Sequence, residues 1–249
     1  HVVAMPVIDL LDAPDGARDR QLLFNDVVDV LEVRDGFAFV RAVTTGYVGY
    51  VSADGLCAKP EAPIPDKWVS SRMTHGFSAP DIKSKEQMVL SMGTQLSPLE
   101  TENGLVRTEA GWVPEGHMTG ETRDDPVAVA AQFLGTPYLW GGNSASGIDC
   151  SGLVSAAFAM CGSLLMPDSD LQRAHDGELI EDGSVRRGDL WFWEGHVAIV
   201  VDAAQVIHAN AHHMAVTPEA LAKAVKRIAA GEFGEIVRRA RLDDAPSSP

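Results

Sequence analysis

One cysteine stands where the chain changes from a polar, glycine-rich loop to a helix. The stretch GTPYLWGGNSASGIDCSGLVSAAF (135–158) places Cys150 just ahead of an apolar stripe at helical spacing, made of Leu153, Val154, Ala157, Phe158 and Cys161. Gly162 marks the expected end of that helix. Because the first turn of a helix has unpaired N–H groups and the positive end of the helix dipole, this position favours a thiolate. The predicted chemistry is nucleophilic attack, and the alternative is that Cys150 is a small buried apolar residue.

Two histidines follow on strands that we expect to be neighbours. Strands are predicted in GDLWFW, GHVAIVVD and QVIHAN, with His196 in the second and His208 in the third. If the turn between these two strands is odd and centred on Ala203, His208 lies opposite Ala198. It then shares a sheet face with His196 as a diagonal neighbour. An even turn would place the two histidines on opposite faces, and Asn210 would then be the candidate to orient His196. A cysteine, a histidine and a second polar group are the nucleophile, base and orienting residue of covalent catalysis.

The chain ahead of this region is predicted to consist of strands and turns. Within residues 1–118, short apolar runs alternate with hairpin signals such as Asp35-Gly36 and Asn103-Gly104. The pattern occurs twice, in stretches of about sixty residues that are each long enough for one small barrel.

Two proline-containing connectors, at 59–67 and 119–126, divide the chain. The fold class predicted from these patterns is α+β. We expect three domains, which are two small β-barrels at 1–60 and 64–119 and a third domain at 124–243 that carries the chemistry.

Composition restricts the partners of the protein. The formal net charge of −15 argues against nucleic acid or an anionic membrane surface, although it allows a small substrate with a free amine. No apolar run reaches the roughly 18 residues that a membrane span needs. Three cysteines are a sparse and odd set, which indicates a reducing compartment. The start HVVAMPVIDLL lacks the features of a signal peptide, so the expected location is cytoplasmic; it also lacks a first Met, so an upstream piece remains open. The oligomeric state is not given by these patterns.

Three motifs in the third domain resemble the NlpC/P60 family of papain-like cysteine peptidases. They are PYLWGGNSASGIDCSG (137–152), RGDLWFWEGHVAIV (187–200) and VIHA (206–209), in the order and spacing of the family. The resemblance implies that Cys150 is the nucleophile, His196 the general base and His208 the third catalytic residue. It also places Tyr138 beside the cysteine as a hydrogen-bonding residue, and it implies no cofactor and no metal.

The two repeats resemble bacterial SH3-like domains, which precede the peptidase domain in enzymes that cleave murein peptides after γ-D-glutamate. This architecture implies a papain-like domain behind two SH3-like barrels, and a small murein peptide with a free N-terminal L-alanine as substrate. By this resemblance Asp149 binds the free α-amine and Ser151 makes a second polar contact. Tyr47 of the first barrel closes the subsite, with Tyr50 as the alternative. Asp149 equally suits the N-cap of the helix.

One departure from the family concerns the segment after the catalytic helix. Relatives often have Pro-Arg-Asp-Ser, whereas Pro167-Asp168-Ser169 lacks the arginine. Ser169 therefore carries over as a substrate-binding residue, and Arg173 is the candidate to replace the missing charge.

Other interpretations are open for several of these residues. A zinc site could be built from His208, His212, His213 and Cys150, but the segment is predicted as strand and loop and no CxxC accompanies it. Cys57 and Cys161 are expected to be packing residues. The whole protein could instead be a cell-wall-binding module, or a cysteine-dependent acyltransferase or amidase on the same fold.

Overall fold

The computed structural model describes residues 1–59, 65–175, 177–181, 183–231 and 233–242, so 60–64 of the first connector and the ends of the predicted domains at 60, 64 and 243 lie outside the described residues. The chain forms two compact units. The first comprises His1–Glu121 together with Asn143–Ala145, and the second comprises Thr122–Gly142 together with the described part of Ser146–Pro249.

The first half of unit 1 is a five-stranded antiparallel sheet with the strand order β3-β2-β6-β5-β4, flanked by the pair β1-β7. Its strands are β1 (Val2–Val3), β2 (Val7–Leu11), β3 (Arg18–Leu23), β4 (Val28–Arg34), β5 (Phe37–Ala42), β6 (Val48–Ser52) and β7 (Leu56–Cys57). The predicted turn at Asp35-Gly36 is confirmed, because both residues have positive φ, at 51° and 83°, and join β4 to β5.

The second half of unit 1 repeats this arrangement with the order β10-β9-β14-β13-β12, next to the three-stranded sheet β11-β8-β15. Its strands are β8 (Lys67–Val69), β9 (Met73–Phe77), β10 (Glu86–Ser91), β11 (Gln95–Leu96), β12 (Thr101–Glu102), β13 (Leu105–Thr108), β14 (Gly111–Pro114) and β15 (Met118–Thr119), and unit 1 also holds β16 (Asn143–Ser144). The Asn103-Gly104 turn joins β12 to β13 with φ values of 51° and 76°. A 3-10 turn follows β6 in the first half, at Ala53–Gly55, and β14 in the second half, at Glu115–His117.

The cores of the two halves of unit 1 are built from alternating strand residues. Leu10, Val40 and Val51 have no exposed surface in the first half, and Val69, Leu90, Leu96 and Val113 have none in the second. Phe24, which follows β3, packs into the core of the second half. The identical strand orders agree with the predicted internal repeat, and the division of the chain into three domains stays a prediction.

Unit 2 contains a six-stranded antiparallel sheet with the order β18-β23-β19-β20-β21-β22. Its strands are β17 (Gly147–Ile148), β18 (Glu178–Leu179), β19 (Leu190–Trp193), β20 (His196–Val200), β21 (Gln205–Asn210), β22 (Ala215–Ala220) and β23 (Arg238–Arg241). Its helices are α1 (Pro126–Ala131), α2 (Cys150–Ala159), α3 (Ser169–Ala174) and α4 (Leu221–Ala229). The helix α2 packs against β20 and β21, and α4 packs against β21 and β22.

The helix α4 covers one face of the six-stranded sheet. On one face of the sheet, Ala198, Val200 and Val206 join Leu221, Ala224 and Ile228 of α4 in a buried apolar cluster. The amphipathic character of α4 explains this contact, because its buried residues recur three and four positions apart. Among the described residues, none of the helices combines the length and the apolar character that crossing a membrane requires.

Candidate active site

The helix α2 begins at Cys150, as the sequence predicts, and Asp149 is its N-cap. One carboxylate oxygen of Asp149 accepts hydrogen bonds from Gly152 N at 2.6 Å and from Ser151 Oγ at 3.0 Å. The other oxygen accepts from Gly141 N at 3.0 Å. The N-cap interpretation of Asp149 is therefore confirmed, while its binding of a substrate amine stays a prediction.

Glycine is required where the loop meets this helix. A Cβ at Gly152 would lie 2.4 Å from the carbonyl oxygen of Gly142, which is closer than real contacts allow. Asp149 N also donates to that carbonyl oxygen at 3.2 Å. The loop and the first turn of α2 are thus held together around Cys150, which is 7% exposed.

The two histidines lie on the same face of the sheet, as the odd turn predicts. Ile199 pairs with Ile207 and Val200 pairs with Val206, so the hairpin is centred on Ala203. The Nε2 atom of His196 lies 2.9 Å from the Nδ1 atom of His208. Asn210 is not needed as a replacement, and its side chain instead contacts Thr217 and His213.

A carboxylate that the sequence analysis missed lies behind this pair. His208 Nε2 is 3.1 Å from Glu219 Oε2. Arg227 of α4 donates to both oxygens of the same carboxylate, from Nε at 3.0 Å and from Nη2 at 2.6 Å. The side chains of His208 and Glu219 are 0% and 11% exposed. His196, His208, Glu219 and Arg227 therefore form one continuous row, which we call the histidine–glutamate row.

The surroundings keep both histidines neutral. The ring of His196 stacks on Phe233 and packs against Trp193, with a ring-centre distance of 5.7 Å in each case. Burial, the neighbouring His208 and the charge of Arg227 lower the pKa of His196 to about 3. Burial also lowers the pKa of His208 to about 4, although Glu219 acts in the opposite direction. Burial alone would raise the pKa of Glu219, but the hydrogen bonds and charge of Arg227 outweigh it, so this pKa is lowered and the carboxylate is ionised.

These shifts predict that acid destabilises unit 2. In the unfolded chain both histidines take up a proton near pH 6.5, whereas in the folded protein they resist it, so stability is complete above pH 6.5 and falls as the pH falls. We expect each histidine to lower the free energy of unfolding by about 2 kcal/mol between pH 7.5 and pH 5. Urea titrations at the two pH values measure this change.

Asp26 of unit 1 contributes the opposite pH dependence, because burial raises its pKa to about 6 and its contribution to stability grows as the pH falls. A matched pair of variants is therefore needed to isolate the effect of the histidines. His208→Asn should make the fall in the free energy of unfolding between pH 7.5 and pH 5 smaller by about 2 kcal/mol, which is the contribution of this histidine. His212→Gln should leave it intact, because His212 is exposed and packs only edge-on against His213 in the ring contact described. An identical pH dependence in all three proteins would contradict the buried neutral histidines.

The contacts of the other predicted residues of unit 2 do not test their predicted roles. The backbone N–H of Tyr138 donates to Met214 O at 3.0 Å. Ser169 is buried as the first residue of α3, and its contact with a substrate stays a prediction. Arg173 forms an ion pair with Glu194 at 2.7 Å, so this side chain is already engaged. The sequence analysis missed Gln172, whose Nε2 donates to Ser151 O at 2.9 Å and fixes α3 to the start of α2.

The remaining expectations concern Tyr47 and Tyr50 of unit 1, a metal site, and the distance between Cys150 and His196. In unit 1, Tyr47 packs partly buried against the core of the first repeat, and its role as a lid on the substrate stays a prediction. Tyr50 packs against Phe39 with ring centres 4.9 Å apart. Within the described residues, no cluster of three or more His, Cys, Asp or Glu side chains has an arrangement that could hold a metal ion. That Cys150 lies within reach of His196 also stays a prediction, which rests on the packing of α2 against β20.

The expectation that Cys57 and Cys161 are packing residues is wrong for Cys57. Cys57 is exposed, because it ends the short edge strand β7, whereas Cys161 is half-buried. Burial, together with the charges of Asp125 and Asp124, raises the pKa of Cys161 to about 11.

We therefore expect the three thiols to react with iodoacetamide at different rates. At pH 6.5 Cys150 should be modified first, because the start of α2 favours its thiolate, and Cys161 should be modified last. Peptide mapping of a time course measures the order. Modification of Cys57 before Cys150 would remove the case for an activated thiolate, since Cys57 is the more exposed thiol but does not lie at the start of a helix.

Two families match separate parts of the chain. Residues 135–228 match the NlpC/P60 family, and residues 10–56 match the bacterial dipeptidyl-peptidase Sh3 domain. The second match covers the first repeat of unit 1, and assignment of the second repeat as an SH3 domain stays a prediction.

Curated relatives align with parts of their own length. The dipeptidyl-peptidase 6 of Lysinibacillus sphaericus is 36% identical over 88 residues, which is 35% of this chain and 32% of that protein. The γ-D-glutamyl-L-lysine dipeptidyl-peptidase of Bacillus subtilis (strain 168) is 32% identical over 143 residues, which is 50% of this chain and 47% of that protein. The chain thus spans about half the length of these relatives or less.

A solved structure has a similar fold over almost the whole length of the chain. The crystal structure of an NlpC/P60 family protein from Bacillus cereus ATCC 10987 superposes with a TM-score of 0.83, over 97% of this chain and 98% of that chain. At 19% identity this likeness concerns the fold alone.

Proposed function

We propose that this chain, which contains an NlpC/P60 domain at residues 135–228 and a bacterial dipeptidyl-peptidase SH3 domain at residues 10–56, is a cysteine peptidase of murein peptides. Its reaction is hydrolysis of the bond between γ-D-glutamate and the diamino acid. The observation that carries the proposal is the buried His196–His208 pair on β20 and β21, the two strands against which the Cys150 helix packs.

The roles of the three residues follow from their chemistry. His196 takes the proton of Cys150, and the sulfur attacks the γ-carbonyl carbon of D-glutamate. The negative charge that develops on the carbonyl oxygen is stabilised by the backbone N–H of Cys150 at the positive end of α2. The C–N bond then breaks, the leaving amine takes the proton from His196, and a thioester remains on Cys150.

Deacylation uses the same base. His196 takes a proton from a water molecule, whose oxygen attacks the thioester carbon. The C–S bond breaks, and the proton returns from His196 to the Cys150 sulfur. His208 keeps His196 in the orientation that both steps need, as the third member of such a set does.

The substrate we propose has a free N-terminal L-alanine. Asp149, which is buried at the start of α2, would receive the α-ammonium group through charge-assisted hydrogen bonds, next to Ser151. Tyr47 would close this subsite, and Ser169 would also contact the substrate. The name of the Bacillus subtilis relative supports a γ-D-glutamyl peptide as the substrate class.

Incubation with L-Ala-γ-D-Glu-diaminopimelate, followed by mass spectrometry, tests the proposal. We expect two products, L-Ala-γ-D-Glu and diaminopimelate. Binding of the peptide without cleavage would contradict the proposal and favour a binding module. Transfer of the acyl group to an added amine in place of water would favour an acyltransferase.

A further inference from the structure

The histidine–glutamate row extends the His196–His208 pair by a carboxylate that neither the sequence motifs nor the family match assigns. Glu219 lies on β22, where it pairs with Val206, and His208 pairs with Thr217. Glu219 and His208 are therefore diagonal neighbours on one sheet face. Arg227 reaches the same carboxylate from α4, eight residues further along the chain.

We propose that Glu219 is a positioning residue that sets the tautomer of His208 and, through it, the tautomer of His196. This inference rests on the proposed function, because it assigns His196 Nδ1 as the atom that takes the proton of Cys150. It does not require Glu219 to touch the substrate.

The assignment of protons starts at the carboxylate. An ionised carboxylate only accepts hydrogen bonds, so Glu219 Oε2 requires that His208 Nε2 carries a proton. A neutral His208 then has a lone pair on Nδ1, which accepts a hydrogen bond from His196 Nε2–H. A neutral His196 with its proton on Nε2 has its lone pair on Nδ1. The carboxylate of Glu219 thus determines, through His208, that Nδ1 is the basic atom of His196.

Arg227 holds Glu219 in place and compensates its charge. Its two hydrogen bonds hold both oxygens of Glu219 in place and keep the carboxylate ionised. Its positive charge also offsets the negative charge of Glu219 at His196, since Arg227 lowers and Glu219 raises the pKa of that histidine. The ion pair therefore orients His196 without charging it before the substrate arrives.

In the part of the chain that the structure describes, the groups that face the row come from several elements. His196 faces His208, Trp193 of β19 and Phe233, and α2 with Cys150 packs against its strand. His213, which follows β21, contributes to the lowering of the pKa of His208. Removal of Glu219 and removal of Arg227 change the pKa of His196 in opposite directions, because Glu219 raises this pKa and Arg227 lowers it.

Two substitutions use these opposite signs. Glu219→Gln keeps the shape but removes the charge, and its amide can present an N–H to His208 and reverse the tautomers. We expect kcat to fall about 10- to 100-fold with KM within about twofold, and the acidic limb of the kcat/KM profile to move to lower pH. Arg227→Met should move the same limb to higher pH. A merely structural ion pair between β22 and α4 would lower stability in both variants and move neither limb.

Asp189→Asn is the matched control. Asp189 is fully buried and, like Glu219, binds an arginine through two hydrogen bonds, from Arg241 Nε at 2.8 Å and from Nη2 at 3.0 Å. It contacts neither histidine in the hydrogen bonds described for it. Its substitution should lower stability and leave the pH profile unchanged.

The tautomers themselves are read by long-range ¹H–¹⁵N NMR of the imidazole rings, which needs no substrate. In the wild type at pH 7 we expect both His196 and His208 to carry their proton on Nε2, and Glu219→Gln should convert a large share of His208 to the Nδ1–H form. A wild type that cleaves no peptide but has these tautomers would contradict the proposed function and support the role of Glu219. An active wild type whose tautomers and pH profile are unchanged in Glu219→Gln would overturn the inference.

Discussion

Replacement of Cys150 by alanine should lower kcat/KM for L-Ala-γ-D-Glu-diaminopimelate by on the order of 10⁵-fold, because the nucleophile of a covalent mechanism has no substitute in the site. The fold should be retained, because the substitution removes only one sulfur atom and leaves a small cavity, and because Asp149 still caps the helix. Steady-state kinetics measures the loss of activity, and thermal unfolding measures the intact fold.

Cys161→Ala is the control for that variant. This residue follows the same helix and is half-buried, so it reports what the loss of a thiol near α2 does by itself. We expect wild-type activity from Cys161→Ala. Residual cleavage by Cys150→Ala above about one hundredth of the wild-type rate would exclude the thioester mechanism.

Acetylation of the N-terminal alanine of the substrate should cost about 30- to 5000-fold in kcat/KM, which corresponds to the roughly 2–5 kcal/mol expected when one partner of a buried charge pair is removed. The substrate is changed and the protein is not, so folding does not enter the comparison. Kinetics with the free and the acetylated tripeptide measures the ratio.

The role of Asp149 is tested by the same ratio in a variant. Asp149→Asn should reduce the preference for the free amine, and it should also lower stability, because three hydrogen bonds converge on the carboxylate of this N-cap. Asp125→Asn removes the charge of another N-cap, at α1, and should leave the preference unchanged. An equal preference in Asp149→Asn and the wild type would contradict the amine-binding role.

A requirement for the free amine has a consequence for biology that we also propose. In intact murein the alanine is bonded to muramic acid, so polymeric wall should resist the enzyme while released peptides are cleaved. This selectivity would suit recycling of peptides in the cytoplasm. Efficient lysis of intact sacculi would contradict it and favour the first unit as a wall anchor.

Local sequence signals account for the elements that carry the site. The Asp35-Gly36 and Asn103-Gly104 pairs tolerate positive φ, so they predict hairpins wherever alternating strands flank them. The position of His208 relative to His196 follows from the parity of one turn, because side chains alternate along strands. The hairpin turns depend on a few adjacent residues, which is why sequence alone predicts them. The parity of the turn after β20 is open between an odd and an even form in the sequence, and the strand register decides for the odd one.

The Glu219–Arg227 pair could not be found in the same way. Pro218 lies in the middle of β22 and argues against a strand, since proline has no N–H for the ladder. The strand exists because it lies at the edge of the sheet, where proline is tolerated. If β22 is not predicted, the diagonal contact from Glu219 to His208 cannot be predicted either. The contact of Arg227 with Glu219 depends in addition on the packing of α4 against β22.

The exposure of Cys57 was missed for a related reason. Its apolar neighbours predict burial, but β7 has two residues and pairs only with β1 in the ladder described, so the thiol faces solvent. Burial at strand ends depends on which neighbours cover them, and sequence periodicity does not contain that information.

Hydrolysis of L-Ala-γ-D-Glu-diaminopimelate in H₂¹⁸O tests the central claim most directly. Mass spectrometry with fragmentation identifies which product carries the label and at which carboxyl group. The thioester mechanism predicts one ¹⁸O atom in the γ-carboxyl group of the L-Ala-γ-D-Glu product, unlabelled diaminopimelate, and no product with Cys150→Ala. Label in free alanine or in diaminopimelate, or cleavage that persists in Cys150→Ala, would contradict a Cys150-dependent γ-D-glutamyl peptidase.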